Sequence, residues 1–128
     1  MSSYDQNNIF AKILRSEIPC DKVFESKYAL AFRDINPQAP VHVLVIPKGL
    51  YTSADDFTRS ASPEELEGFW RAVGETAQSL GLSERGFRLI TNCGEDAHQE
   101  VPHFHVHVLG GRPLGPMLGG DSKAIVGS

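Results

Sequence analysis

Residues 103–109 read His-Phe-His-Val-His-Val-Leu, and histidine alternates with an apolar residue up to position 108. In an extended strand, successive side chains point to opposite faces of the sheet. The three histidines would therefore share one face, and the apolar residues would share the other and pack into the core. The stretch thus predicts a buried strand that displays three neighbouring imidazoles, those of His103, His105 and His107.

Length and composition indicate one domain that does not bind a nucleic acid polymer. The chain has 128 residues, a size that suits a single domain with its own core. Its formal net charge is −4 without any basic run, which argues against binding to a nucleic acid polymer. No apolar stretch approaches ~20 residues and the start lacks a signal-peptide pattern, so we expect a cytoplasmic protein without a membrane partner. Cys20 and Cys93 are far apart and predict free thiols.

Two helices are predicted from capping residues and apolar periodicity. Asn7 or Asn8 can cap a short helix over residues 9–15, and Pro19 is expected to end it. A long helix begins after Ser62, which can form a capping box with Glu65. Its apolar stripe is assigned to the core and includes the single tryptophan: Leu66, Phe69, Trp70, Val73, Ala77 and Leu80.

Strand patterns complete an α+β domain on an antiparallel sheet. Four strands are predicted besides the histidine strand, over residues 22–25, 29–33, 42–46 and 87–92. The first two are joined by a short polar link that suits a hairpin. One domain therefore spans residues 1–128, with its core over about 8–112 and a Gly-rich tail over 113–128.

A row of histidines is compatible with a structural network or with a metal centre. Imidazole is a common zinc ligand, and a His-x-His pair on a strand can supply two ligands. The backbones of His103 and His107 would lie about 13 Å apart, too far for all three rings to close easily on one tetrahedral ion. Further ligands would have to come from elsewhere in the chain, from His42, His98, Cys93 or Asp34.

The third alternative is nucleophilic catalysis, in which a neutral imidazole attacks phosphorus and carries the transferred group on nitrogen. Such a site needs a free ring nitrogen, an acceptor that holds the proton on the other nitrogen, and donors around the phosphoryl oxygens. His105 has a histidine on each side that can orient it, donate to phosphate or protonate a leaving group. The pattern is therefore suited to chemistry at phosphorus.

The histidine row and several other segments of the sequence resemble the motifs of a known family. Residues 103–109 resemble the His-φ-His-φ-His-φ-φ motif, φ being apolar, of the histidine triad (HIT) superfamily of nucleotide hydrolases and transferases. Other segments resemble its Hint branch, the histidine triad nucleotide-binding proteins: 9–13, 17–19, 32–40, 45–48 and 108–112. The resemblance implies an α+β fold with one long and one short helix, whose five-stranded antiparallel sheet continues across a homodimer.

The resemblance also implies a role for each site residue. His105 would be the nucleophile that forms a nucleotidyl-histidine intermediate, and His107 would contact the phosphate beside it. His103 and His42 would be the other catalytic histidines and support the ring network, with nearby backbone carbonyls fixing the tautomer of the nucleophile. The remaining nucleotide-binding residues would be Asp34 for the ribose hydroxyls, Ile35 and Phe32 for the base, and Asn92, His98, Gln99 and Glu100 along the phosphate.

The activity implied is that of a purine nucleoside phosphoramidase, a hydrolase that cleaves the P–N bond of an AMP or GMP conjugate without a cofactor or metal. A nucleotide-binding scaffold with vestigial hydrolysis and a dinucleoside polyphosphate hydrolase remain as alternatives. The sequence departs from the animal Hint pattern at Glu100, where those proteins carry serine, at His98, where they carry glycine, and in its tail, which lacks their tryptophan. An ionised carboxylate at position 100 cannot donate to phosphate, so we expect it to turn away or to bind the leaving amine.

Overall fold

One five-stranded antiparallel sheet forms the centre of the molecule. The structure is a computed structural model and describes residues 4–118. The strands are β1 (Lys22–Glu25), β2 (Ala29–Arg33), β3 (Val41–Pro47), β4 (Arg88–Ile90) and β5 (Val106–Gly110). Their spatial order is β1-β2-β3-β5-β4, with every neighbouring pair antiparallel. The predicted sheet is thereby confirmed, and β5 lies between β3 and β4.

Within residues 4–118, three helices accompany the sheet: α1 (Ile9–Leu14), α2 (Ala54–Ser60) and α3 (Pro63–Ser79). The predicted caps of the short and the long helix are present, because Asn8 accepts from the backbone of α1 and Ser62 forms a reciprocal capping box with Glu65. Helix α2 is an addition to the predicted elements. It has seven residues and buries only Phe57, so it produces no apolar periodicity in the sequence.

The two faces of the sheet bury different clusters. Helices α2 and α3 cover one face, where Phe57 and Phe69 pack around Phe104. Val106 and Val108 belong to the same cluster, as the alternation predicts. The opposite face carries a smaller cluster formed with α1: Phe10, Leu30, Phe32, Leu44 and Ile46. The histidines lie on this second side, where the ring of Phe10 meets the ring of His105 edge-on at 4.9 Å.

Three local predictions are wrong, and each has a structural reason. Helix α1 ends at Leu14, because Ser16 adopts a left-handed φ of 63° before Pro19 is reached. The segment 103–105 lies outside the ladder, since the N–H of Phe104 donates to the carbonyl of Tyr51 and β5 begins only at Val106.

The third error concerns Trp70, which is 45% exposed instead of buried. The buried line of α3 runs through Phe69, Ala72, Val73, Thr76 and Ala77. Position 70 follows Phe69 by one residue and therefore points about 100° away from it around the helix axis. The apolar stripe is narrower than the sequence pattern indicates.

The described chain has three further features, which concern its helices, its cysteines and its Gly-rich tail. None of the helices within residues 4–118 is long and apolar enough to cross a membrane. Cys20 is half-buried and Cys93 is exposed, and both are free thiols, as predicted. The described part of the Gly-rich tail, up to residue 118, forms neither helix nor strand, and the rest of the predicted tail lies outside the described residues.

Candidate active site

Four histidines meet on the α1 side of the sheet. His107 on β5 pairs across the ladder with Leu44 of β3, and His42 on β3 pairs with Leu109. His103 and His105 precede β5 and lie outside the strand. The ring of His107 lies 5.1 Å from that of His105 and 5.2 Å from that of His42, measured between centroids. The fold therefore brings together the four histidines that were predicted to act together.

The tautomer of His105 is set by the backbone of His103. Nδ1 of His105 lies 2.7 Å from the carbonyl oxygen of His103, and a carbonyl can only accept, so Nδ1 carries the hydrogen. Nε2 is then left with its lone pair. Thr91 donates its hydroxyl to the carbonyl of His105 at 2.8 Å and steadies the same backbone. A backbone carbonyl therefore lies beside His105, as the family resemblance implies.

His42 and His107 have the opposite tautomer to His105, with the ring hydrogen on Nε2. The N–H of Gln38 donates to Nδ1 of His42 at 3.0 Å, so the hydrogen of His42 resides on Nε2. That Nε2–H donates to Nδ1 of His107 at 2.9 Å, which leaves Nε2–H of His107 as an open donor. Nε2 of His105, which has a free lone pair, thus lies beside the ring of His107, whose open Nε2–H is a donor.

His103 is the most enclosed member of the network, with 0% of its surface exposed. Its Nε2 donates to the carbonyl of Pro47 at 2.9 Å, and its Nδ1 is hydrogen-bonded to the hydroxyl of Tyr4. Neither Tyr4 nor Thr91 was predicted as a site residue. No periodicity or motif marks them, because each reaches the histidines only through the tertiary fold.

Burial keeps the histidines neutral. Loss of hydration lowers the pKa of His103 and of His107 to about 4, and neighbouring histidines add to the effect at His107. The pKa values of His42 and His105 are lowered by the same cause, against a smaller opposing effect of the Asp34 carboxylate. At neutral pH the lone pair of His105 is therefore not blocked by a proton.

The three residues predicted for the nucleoside occupy different environments. Asp34 directs Oδ2 toward Nε2 of His42 at 3.5 Å and accepts the N–H of Asn36 with Oδ1 at 2.8 Å. Phe32 is 4% exposed and packs edge-on against Phe10. Ile35 is 95% exposed. Asp34 is thus close to the histidines, Phe32 lies beneath the surface, and Ile35 projects from the loop.

The predicted phosphate-side residues are only partly available. Asn92 is half-buried and lines a cavity next to His107. His98 is exposed and has a φ of +60°, a left-handed conformation that favours glycine, which explains why a glycine suits this position in the animal pattern. Glu100 is exposed, and its charge acts on His105 by raising the pKa of that imidazole slightly against the effect of burial.

The hydrogen-bonding groups of Gln99, which is also predicted to line the phosphate, are occupied within the protein. Its side-chain amide donates to the carbonyls of Thr52 at 2.7 Å and Val101 at 3.0 Å. Its side-chain amide oxygen accepts from the backbone N–H of Gly94, and its backbone N–H donates to the Gly94 carbonyl at 3.1 Å. Gln99 therefore has no donor left for a phosphate and instead fastens the loop before the histidines.

The histidine network borders a cavity of about 280 Å³. Its lining comprises Gln38, His42, Arg88, Ile90, Asn92, His107, Leu109, Arg112 and Leu114. A larger cavity, of about 480 Å³, lies between the end of α1 and the β1–β2 hairpin and includes none of the histidines. Ligand atoms of Asp34, His42 and His107 lie within 4.8 Å of one another and could approach a cation, which would have to break the 2.9 Å bond between the two rings.

Comparison with known proteins identifies the family. The chain matches the HIT domain model over residues 15–114. It is 61% identical over 116 residues to an uncharacterised 13.2 kDa HIT-like protein of Azospirillum brasilense, covering 91% of this chain and 95% of that protein. It is 47% identical over 114 residues to the purine nucleoside phosphoramidase of Escherichia coli (strain K12), covering 88% of this chain and 94% of that enzyme. A solved HIT family hydrolase from Clostridium thermocellum superposes with a TM-score of 0.81 at 40% identity, covering 89% of this chain and 98% of the other. The chain belongs to the HIT domain family, and residues 103–109 are its histidine triad.

Proposed function

We propose that the protein is a purine nucleoside phosphoramidase of the Hint branch, which hydrolyses the P–N bond between a nucleoside monophosphate and an amine. The proposal depends chiefly on the pair of open ring nitrogens, the lone pair on Nε2 of His105 and the hydrogen on Nε2 of His107. One can attack phosphorus while its neighbour donates to a phosphoryl oxygen. The phosphoramidase of Escherichia coli, 47% identical over 114 residues, supports this substrate class.

In the first step, Nε2 of His105 attacks phosphorus, the P–N bond breaks, and the leaving nitrogen takes a proton from water. The product is a nucleotidyl-histidine whose positive ring is stabilised by the bond from Nδ1–H to the carbonyl of His103. That hydrogen already lies on Nδ1 before the reaction, so the attack needs no prior proton transfer. The pKa of His107, about 4, makes this ring an uncharged donor and not a general acid.

In the second step, water attacks the phosphorus of the intermediate and the bond between phosphorus and Nε2 breaks. His105 recovers its lone pair, and the proton released by this water balances the one that the amine took up. The net reaction converts a phosphoramidate and water into an amine and a nucleoside monophosphate. The scheme uses the histidines and water, without a cofactor or metal.

The substrate is oriented by residues on both sides of the histidines. We assign the ribose hydroxyls to Asp34, whose carboxylate already lies 3.5 Å from the ring nitrogen of His42. Ile35, 95% exposed, would lose unfavourable apolar exposure by covering a purine, and Phe32 lies beneath. Asn92 borders the cavity beside His107 and can donate to the phosphate.

The leaving group is assigned to the side of Glu100. The negative charge of this exposed carboxylate raises the pKa of His105 against the effect of burial, and on this basis we assign Glu100 to the surroundings of the leaving group. A departing amine becomes an ammonium ion that a carboxylate attracts, whereas a departing nucleotide is an anion that it repels. Glu100 thus favours a phosphoramidase over the alternative of a dinucleoside polyphosphate hydrolase.

A substrate panel tests this function. The purified chain should hydrolyse adenosine 5′-phosphoramidate at least about tenfold faster than a diadenosine polyphosphate, a difference of about 1.4 kcal/mol in the barrier. The rates of both substrates are measured by separation of the released AMP, with a His105→Asn variant as the blank. Faster cleavage of the dinucleotide would contradict the proposal. Tight binding of AMP with no turnover above the blank would instead indicate the scaffold alternative.

We also propose that the sheet continues through β4 into a homodimer. Strand β4 is an edge of the sheet in the described chain, and it exposes 42% of Leu89, with Phe87 just before it exposed by 39%. The opposite edge strand, β1, carries the ion pair of Lys22 and Glu25 at 2.6 Å. Charges protect an edge from pairing, and exposed apolar residues invite it, so β4 is the better candidate.

Light scattering should therefore give twice the 14.0 kDa mass of the chain. Leu89→Lys places a charge on the β4 edge and should give the mass of one chain. Leu50→Lys is the matched control, because Leu50 is 45% exposed but lies outside the strands. A single-chain mass for the unmodified protein, or an equal effect of both variants, would contradict pairing through β4.

A further inference from the structure

The hydroxyl of Tyr4 meets the histidine network from the N-terminal segment before α1. It is hydrogen-bonded to Nδ1 of His103, 99 residues away in the chain, and the two rings meet edge-on at 5.6 Å and 78°. The side chain of His103 is fully buried. In the described chain its ring nitrogens have two hydrogen-bond partners, Tyr4 and the carbonyl of Pro47.

The direction of the hydrogen bond follows from the other partner. The carbonyl of Pro47 can only accept, so Nε2 of His103 carries the ring hydrogen and Nδ1 carries a lone pair. The hydroxyl of Tyr4 must then donate to Nδ1. Burial supports this arrangement at both ends, because it raises the pKa of Tyr4 and lowers that of His103 to about 4.

His103 matters because its carbonyl accepts the hydrogen of Nδ1 on His105. Its ring and that of His105 both stand edge-on to Phe10, with centroids 6.3 Å and 4.9 Å from it. Without a donor at Nδ1, the enclosed ring of His103 would hold an unsatisfied acceptor, which proteins relieve by moving the ring or shifting its hydrogen. Either change disturbs the residue that orients the nucleophile.

We propose that Tyr4 is a positioning residue, whose hydroxyl holds His103 in its Nε2–H tautomer and thereby keeps His105 aligned for attack on phosphorus. The kinetic part of this inference rests on the proposed phosphoramidase function. The structural part, which concerns the hydrogen on His103, does not. Within the histidine network of the described chain, the hydrogen bond of Tyr4 is to His103 and not to His105, so Tyr4 acts through His103.

Tyr4→Phe tests the proposal, because it keeps the ring and its edge contact and removes only the hydroxyl. We expect kcat for adenosine 5′-phosphoramidate to fall roughly 10- to 100-fold through misalignment of the nucleophile, with little change in KM. Tyr51→Phe is the matched control. It also removes a tyrosine hydroxyl, but this hydroxyl lies away from the histidines and donates to Glu65 at a distance of 2.7 Å. Tyr51→Phe should therefore retain the wild-type kcat. A wild-type kcat in Tyr4→Phe, or equal losses in both variants, would overturn the kinetic part.

Imidazole ¹⁵N spectra supply a readout that a merely structural role would not move. In the wild-type chain, the Nδ1 signal of His103 should be that of an unprotonated nitrogen with a hydrogen-bond donor, and its Nε2 should carry the hydrogen. Tyr4→Phe should shift the Nδ1 signal, and Tyr51→Phe should not. An Nδ1–H tautomer of His103 in the wild-type chain would overturn the proposal, whether or not the variant folds. These spectra need no substrate, so a failure of the phosphoramidase function leaves them decisive.

Discussion

Replacing His105 with asparagine is expected to lower phosphoramidate turnover by at least about 10⁴-fold, because the variant loses the only attacking atom of the proposed mechanism. The asparagine amide N–H can still donate to the carbonyl of His103, as Nδ1–H does at 2.7 Å in the native site. The surrounding backbone should therefore keep its shape. Binding of AMP, measured by calorimetry, is expected to change by less than about tenfold, which is 1.4 kcal/mol.

The covalent intermediate provides the direct check on this assignment. Rapid acid quenching during turnover, followed by peptide mass spectrometry, should place the nucleotidyl group on His105 in the wild-type chain and nowhere in the variant. His107→Gln is the comparison variant, because it removes a donor to phosphate and not the nucleophile. Its loss should be smaller, about 10²- to 10³-fold. An adduct on His107, or turnover by His105→Asn within tenfold of wild type, would refute the mechanism.

The common face of the three triad histidines could be predicted from sequence because it depends on local order. Alternation in 103–109 places the rings opposite the core residues, and the buried positions of Phe104, Val106 and Val108 agree with it. The caps of α1 and α3 are also local, since each joins residues three positions apart. Such short-range patterns can be recognised without knowledge of the tertiary fold.

The protonation pattern could not be predicted in the same way. The hydrogens of His42, His103 and His105 are directed by backbone groups of Gln38, Pro47 and His103, and that of His107 is directed by the ring of His42. Two of these backbone groups belong to other parts of the chain than the triad, and Tyr4 is 99 residues from its partner. Sequence identifies the histidines, whereas only the fold shows which nitrogen of each ring is open.

The same distinction between local pattern and tertiary contact explains why the sequence did not predict helix α2 or the hydrogen bonds of Gln99. Helix α2 is held by one buried side chain, Phe57, which is too little to create a period. Gln99 carries the polar amide that a phosphate site would use, yet its hydrogens are taken by carbonyls at Thr52 and Val101. A polar residue near a motif is available to a ligand only if the surrounding backbone leaves its donors free.

The neutral histidines also predict a steep loss of stability in acid. The ordinary pKa of histidine is 6.5, so the unfolded chain takes up protons below that pH, whereas folded His103 and His107 resist until about pH 4. Between these values the unfolded state binds more protons, and stability therefore falls as pH falls. Each such histidine contributes about 1.4 kcal/mol per pH unit, and fully buried His103 alone about 3 kcal/mol across the window. His42 and His105, with lowered pKa values, act in the same direction.

Urea unfolding at pH 7.5, 6.5, 5.5 and 5.0 should show this loss above the range in which most carboxylates titrate, near pH 4. His107→Gln removes one half-buried imidazole and should make the dependence of the unfolding free energy on pH shallower. His98→Gln is the matched control, because it replaces a histidine that is exposed in the folded chain. An unfolding free energy that stays constant from pH 7.5 to 5.0 would mean that the folded chain accepts protons on these rings. The lone pair of His105 would then be lost well within the physiological range, and a mechanism based on a permanently neutral nucleophile would fail with it.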